Sequence, residues 1–228
     1  MKLYKVLNED GTCYHGGRGK WFLPRENRPG KWMPEVKGHL VLCGNGYHLV
    51  TASQLIDWLG PALYEAEGRG DSMTDGEKGV WRQARLLRRV EEWNERTARL
   101  FACDCAEHVL HLFEQVYPND GGPRHAIEIG RLYAEGNASE EALHAAWATA
   151  CVAAGAAGDT AWGARDAARV AAGTAWAARA AAWATWADAW EATWGAWDAA
   201  RATAWGGGDA EHKWQVGLLA KLLEEGKG

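Results

Sequence analysis

The densest group of chemistry-bearing residues in this sequence is Cys103-Asp104-Cys105-Ala106-Glu107-His108, followed by His111. On a helix successive residues turn by about 100°, so Cys103 and Cys105 point about 200° apart and cannot share a metal ion. Cys105 with His108, or Glu107 with His111, have the three- and four-residue spacing that puts two ligands on one face. A four-ligand set is missing, so no metal is expected. A thiolate paired with His108 is a second option; cysteines and histidines packed between helices are the preferred reading. Arg82, Arg85, Arg88 and Arg89 form a basic run that reads either as a solvated strand or as an anion site. Gly76-Glu-Lys-Gly79 lacks the spacing and the Ser/Thr of a phosphate loop. No stretch completes a catalytic constellation, so no catalytic residue is assigned and no cofactor is expected.

The elements that must position these residues differ between the two ends of the chain. Residues 2–7 alternate as a strand does, and Glu9-Asp10-Gly11 turns after them. Residues 16–38, rich in Gly, Pro, Arg and Lys around Trp21, Trp32 and Met33, read as a long ordered loop. Strands are expected at 39–43, at 46–50, at 63–67 and at 80–87, with a short helix over 52–59 that stops at Gly60-Pro61 and a polar loop over 68–79. From Glu91 the period becomes helical: Trp93, Leu100, Phe101, Val109, Leu112, Phe113 and Val116 recur at three- and four-residue spacing up to Pro118. Pro123 opens a helix that Gly136 closes, and Ser139 with Glu140 and Glu141 caps the next, which should end near Gly155–Gly158. A helix break is expected at Gly173-Thr174, a linker at Gly206-Gly-Gly208, and a last amphipathic helix over 209–225. The predicted fold class is α+β: a small mixed α/β domain (1–90), an all-α Ala/Trp-rich helical bundle (91–205), then a Gly linker and C-terminal amphipathic helix (206–228).

Composition narrows the class. Apolar residues make up 47% and charged residues 24%, a globular balance, and the net charge of −5 argues against a general nucleic-acid surface. Residues 1–90 carry a balance of +4 and residues 91–228 one of −9, so a basic front half suits an anionic ligand or an acidic neighbour. Five cysteines, an odd number, without a secretory segment after Met1-Lys2-Leu3, predict reduced thiols and a cytoplasmic setting. Charges interrupt the long Ala/Trp stretch, so no membrane span is expected.

Trp176, Trp183, Trp190 and Trp197 recur every seven residues, with Trp162 in register and Trp186 and Trp194 between. Heptad spacing keeps the rings near one helix face, with alanines between as holes for close helix approach. Each ring buries on the order of 150–250 Å². The stripe is therefore expected to be a bundle core or a self-association seam, the latter giving a homo-oligomer. A partner groove or base-stacking platform is the alternative.

WNERTARLFACDCAEHVLHLFE, a Pro-containing turn, PRHAIEIGRLYAEG and the alanine-rich helices beyond resemble a helical family of putative immunity proteins, over roughly residues 93–205. The likeness implies binding and neutralising another protein. The last third departs from it, with tryptophans where smaller or histidine-rich positions are expected. Tyr4-Lys5-Val6-Leu7-Asn8, Cys43 before Gly46-Tyr47-His48-Leu49, and Tyr64-Glu65-Ala66-Glu67 before Gly68 resemble a short domain found in phage and prophage proteins. Tyr14-His15-Gly16-Gly17, GNGYHLVTASQLIDWLG and ALYEAEGRG are similar in form to ADP-ribosyltransferases of the poly-ADP-ribose polymerase type. That likeness implies that His15 and Gly16 hold NAD and that Tyr47 stacks on its ring. Glu65 and Glu67 come earlier than the glutamate of that family, which leaves a pocket that binds without catalysing.

Together these features make Tyr14, His15, Gly16, Trp32, Tyr47, His48, Arg82 and Arg85 the candidate ligand-binding set. The expected function is a non-enzymatic binding or sequestering protein in host–phage or toxin–immunity conflict, its partner a protein or an anionic nucleotide-like ligand. An NAD-using transferase and an oligomeric virion component are the alternatives.

Overall fold

The computed structural model describes residues 2–26, 28–161 and 189–225. The chain divides into two compact units, Met1–Trp93 with Ala220–Gly228, and Asn94–Leu219. The strands all lie in the first unit, which also takes in the end of the last helix, and the second unit is helical, an α+β protein.

The first unit is a closed antiparallel barrel of β1 (Leu3–Leu7), β2 (Tyr47–Thr51), β3 (Ala62–Thr74) and β4 (Gly79–Arg89), in the order β1-β2-β4-β3. Alternation builds it: Leu7, Leu49, Tyr64, Ala66, Ala84 and Leu86 share one buried cluster with Trp21. The pairing of Leu3 with Ala66 and of Leu7 with Ala62 locks β1 against β3, while Tyr47 opposite Trp81 ties β2 to β4.

Several local expectations change. The polar loop over 68–79 is the far end of the β3–β4 hairpin, closed at Asp75, whose Oδ1 accepts the amides of Glu77 and Lys78 at 3.0 Å each. Both faces of that strand end are wet, so it carries no apolar alternation to read. Gly68 and Gly79 sit under Trp81, whose ring fills the space where a Cβ would stand at either position. Residues 39–43 form a turn instead of a strand, with Cys43 in the left-handed region at φ 59° and the amide of Val41 bonded to Asn45 O. The 52–59 helix shrinks to one 3-10 turn, Leu55–Trp58.

The expected loop instead supplies a strap along β4. Amides of Gly30, Met33 and Val36 donate to the carbonyls of Leu86, Ala84 and Arg82 at 2.8, 2.9 and 3.0 Å. Strand β2 pairs with β4 only over Gly79–Trp81, so these bonds serve the rest of that edge. Pro29 and Pro34 deny the strap a regular ladder.

The second unit opens with α1 (Glu95–Val116), capped by a reciprocal pair in which Asn94 Oδ1 accepts the Thr97 amide and Thr97 Oγ1 accepts the Asn94 amide. Trp93 belongs to the barrel unit, where its buried indole donates to Gly60 O at 2.8 Å. Helix α2 (Gly122–Ala134) has Pro123 in its first turn and Gly136 at φ 79° beyond its end. Helix α3 (Glu140–Ala161) starts at Ser139, whose Oγ accepts the Ala142 amide, and runs past the expected glycine stop. Helix α4 (Ala189–Glu225) is continuous except at Gly208, where φ 67° and ψ −154° break it. Gly206 and Gly207 stay helical, so one left-handed glycine does the work expected of a three-residue linker. Phe101, Phe113 and Leu143 are fully buried.

Trp176, Trp183, Trp186 and the Gly173-Thr174 break lie outside the described residues, as do Trp162 and the side chains of Trp190 and Trp194. Trp197 is half-buried, with the Arg201 guanidinium 4.6 Å over its ring. No helix among the described residues is long and apolar enough to cross a membrane.

Candidate functional site

A cavity of about 430 Å³ opens in the barrel unit, lined by β1, the 13–21 loop, the 43–46 turn, β2, Trp58 and Lys78. His15, Gly16, Tyr47 and His48 from the expected ligand set meet there. Tyr14, Trp32, Arg82 and Arg85 do not line it. The Tyr14 ring packs over Gly60, within 2.5 Å of where a Cβ would stand. Trp32 lies under two guanidinium groups, Arg69 at 4.1 Å and Arg85 at 4.8 Å. Arg85 also pairs with Glu67, while Arg82 binds Asp71 and the carbonyls of Val36 and Gly38. Arg88 and Arg89 complete the run by pairing with Glu65 and Glu9 at 2.9 and 2.6 Å. These four arginines are bound into the barrel wall.

Lys5, Lys78, Trp21, Trp58 and Cys43 line the cavity although none of them belongs to the expected ligand set. A signal existed for one of them: Lys5 shares its strand face with Leu3 and Leu7, both packed in the core cluster. Its ammonium sits 5.2 Å over the Trp21 ring and has no hydrogen-bond or ion-pair partner among the described residues. Burial pushes its pKa down. Lys78 lies 4.8 Å over the Trp58 ring, beside the Cys43 thiol and 3.6 Å from Asp75. Burial alone would lower its pKa, but Cys43 and Asp75 outweigh burial and raise it, so Lys78 is charged at neutral pH.

The two histidines are fixed in complementary tautomers. The Cys43 amide donates to His48 Nε2 at 2.9 Å, which puts the His48 proton on Nδ1. Burial, then Lys5 and Lys78, lower the His48 pKa and keep the ring neutral. His15 Nε2–H donates to the carbonyls of Trp58 and Leu59 at 2.7 and 3.1 Å. Burial lowers its pKa despite those carbonyls, leaving Nδ1 as an acceptor. The cavity thus offers cations, a donor and an acceptor between aromatic faces, and no Asp or Glu is among its lining residues.

In the helical unit the two cysteines of the cluster are closed off, while Glu107, His108 and His111 lie at the surface. Cys103 and Cys105 are fully buried; burial pushes the Cys103 thiol up to about 12 and the Cys105 thiol well above its ordinary value. His108 stacks on Trp214 with centroids 3.7 Å apart and donates through Nδ1 to Glu211 at 2.5 Å. Glu211 also accepts from Gln215 Nε2 at 3.0 Å. Arg131 pairs with Asp104 and Glu107, at 2.6 and 2.5 Å. No group of three or more His, Cys, Asp or Glu side chains among the described residues is placed to hold a metal ion.

The family described as Imm-5 like putative immunity protein matches residues 88–222, from the end of β4 through α1, α2 and α3 and into α4. The chain belongs to this family. The match takes in the cluster around Cys103 and the His108–Glu211 pair, so in this immunity-like region those residues hold helices together. Most of the barrel, with its cavity, lies before the match. No curated protein and no solved structure matches the chain.

Proposed function

We propose that this chain is a non-enzymatic binding protein of toxin–immunity or host–phage conflict, which neutralises a partner protein by sequestering it on the helical unit. Membership of the immunity-protein family over residues 88–222 carries the reading. Charge gives it chemistry: residues 94–219 hold nine Lys/Arg against sixteen Asp/Glu, a balance of −7. Glu128, Glu135 and Glu140 are exposed and without an ion-pair partner among the described residues, which suits a basic partner surface. The transferase alternative has less support, because Glu65 and Glu67 are engaged by Arg88 and Arg85 and no carboxylate lines the cavity.

The test is a co-culture. A host strain deleted for this gene and mixed with its wild-type siblings should be killed, and the gene in trans should rescue it. The triple variant E128K/E135K/E140K should fold yet rescue poorly. Equal growth of deletion and wild-type strains would reject the proposal.

A further inference from the structure

We propose that the barrel cavity binds a small phosphomonoester bearing a planar ring, of the size of a nucleoside monophosphate, with Lys5, Lys78 and His48 as its phosphate ligands. The site lies outside the immunity-family match and does not depend on how the helical unit meets its partner.

The cavity wall holds a surplus of donors. Three lining residues carry N–H groups that no described residue accepts: the Lys5 ammonium, His48 Nδ1–H and the buried Trp58 indole N–H. Of the three only the Trp58 N–H is sealed from solvent, and a buried donor is nearly always satisfied; Lys5 and His48 are half-buried and present theirs to the cavity. A group rich in acceptors and negative charge resolves all three at once. Phosphate fits, because it brings about −1.5 to −2 charges and three acceptor oxygens.

The cations also converge. Lys5 and Lys78 come from opposite ends of the barrel sequence, yet both lie close enough to His48 to repel a proton from its ring. Lys78 has Asp75 at 3.6 Å as partial neutraliser, whereas Lys5 has none. Two ammoniums against one carboxylate leave the wall cationic. Arg18 adds a third cation from the loop Gly16-Gly17-Arg18-Gly19, whose glycines stand at φ 76°, 88° and 118°. A Cβ would find open space at Gly16 and Gly19, so a ligand can approach that backbone.

Aromatic side chains define the rest of the ligand. Trp21, Tyr47 and Trp58 line the same cavity, and Trp21 meets Tyr47 edge to face at 5.4 Å. Such walls accept a planar ring by stacking. His15 Nδ1 and the lone pairs of the Tyr47 hydroxyl, which donates to Pro34 O at 2.8 Å, are available to polar edges of such a ring or its sugar. A cavity of about 430 Å³ falls in the range of small-molecule sites and holds one such unit. The left-handed Cys43 is consistent with a built site, since its amide is what sets the His48 tautomer.

Isothermal titration of the full chain with AMP, GMP, CMP and UMP, and in parallel with adenosine and inorganic phosphate, tests the assignment. At least one nucleotide is expected to bind one-to-one, at least about tenfold tighter than either adenosine or phosphate alone. Lys5→Met should weaken it by at least about tenfold while melting close to the wild type, because the ammonium gives up only its contact over the Trp21 ring, which a Met thioether can take over. Four nucleotides that bind no better than phosphate would overturn the proposal, as would a folded Lys5→Met variant with unchanged affinity. Should that variant fail to fold, the wild-type ligand series decides alone.

Discussion

In the helical unit His108 gives its Nδ1–H to Glu211, stacks on Trp214, and Glu211 in turn takes a bond from Gln215. In the barrel His48 takes an amide on Nε2 and keeps an Nδ1–H that no described residue accepts, beside the Lys5 ammonium, which lies over Trp21 but has no hydrogen-bond or ion-pair partner among the described residues. Cys103 and Cys105 are sealed, while Cys43 is exposed at a cavity wall. Side chains of the same types are thus satisfied in one region and left in surplus in the other. Satisfied polar groups fix a packing arrangement; surplus ones around a cavity are poised for a ligand. Residue density is therefore a poor guide to chemistry, since the cysteines of the richest cluster are sealed and its His108 is tied to Glu211.

The contrast can be broken at several points. Phe101 is fully buried, and Phe101→Ala should lower the unfolding free energy by about 3–5 kcal/mol in urea titration. An unchanged midpoint would mean that the helical unit is not a packed core. Glu211→Ala strips acceptors from His108 and Gln215 and should cost about 1–3 kcal/mol. Lys5→Met in the barrel should show no comparable loss, so equal penalties for the two variants would erase the distinction between the regions.

Thiol labelling sharpens it further. With iodoacetamide at pH 7.5 and peptide mass mapping, Cys43 should react in the native protein while Cys103 and Cys105 react only after denaturation. The smallest expected effect is acid sensitivity of the barrel wall. Burial would raise the Glu65 pKa, but Arg88 and Lys2 outweigh burial and hold it below the ordinary carboxylate value. Its stabilising contribution is therefore present above the ordinary carboxylate range and is lost as pH falls through the depressed value. Arg88→Met should flatten that part of the stability–pH curve, and an identical curve would mean that the pair adds nothing to stability.

Much of the scaffold is written locally. The helical period read from Glu91 and realised from Glu95, Pro123 in a first turn, Gly136 past a helix end and Ser139 at a helix start are each legible within a few residues, because caps and periodicity are short-range effects. The alternation of LYKVL and YHLV places β1 and β2 for the same reason. Wet hairpin arms, as in residues 68–74, and straps threaded by prolines, as in 30–36, carry no such pattern and look like plain loop in the sequence.

The candidate site is a different matter. His15, Gly16, Tyr47 and His48 are legible as a loose association of types, and Lys5 as a charge on an otherwise apolar strand face, but Lys78, Trp58 and Cys43 are not. Only closure of the barrel brings residues more than seventy positions apart to one cavity. Only the turn at Cys43 decides which nitrogen of His48 bears the proton. Sequence alone determined that there would be strands first and helices after, since that depends on each residue's near neighbours. Which charges go unanswered depends on strand register across the closed sheet, and that is a property of the tertiary structure.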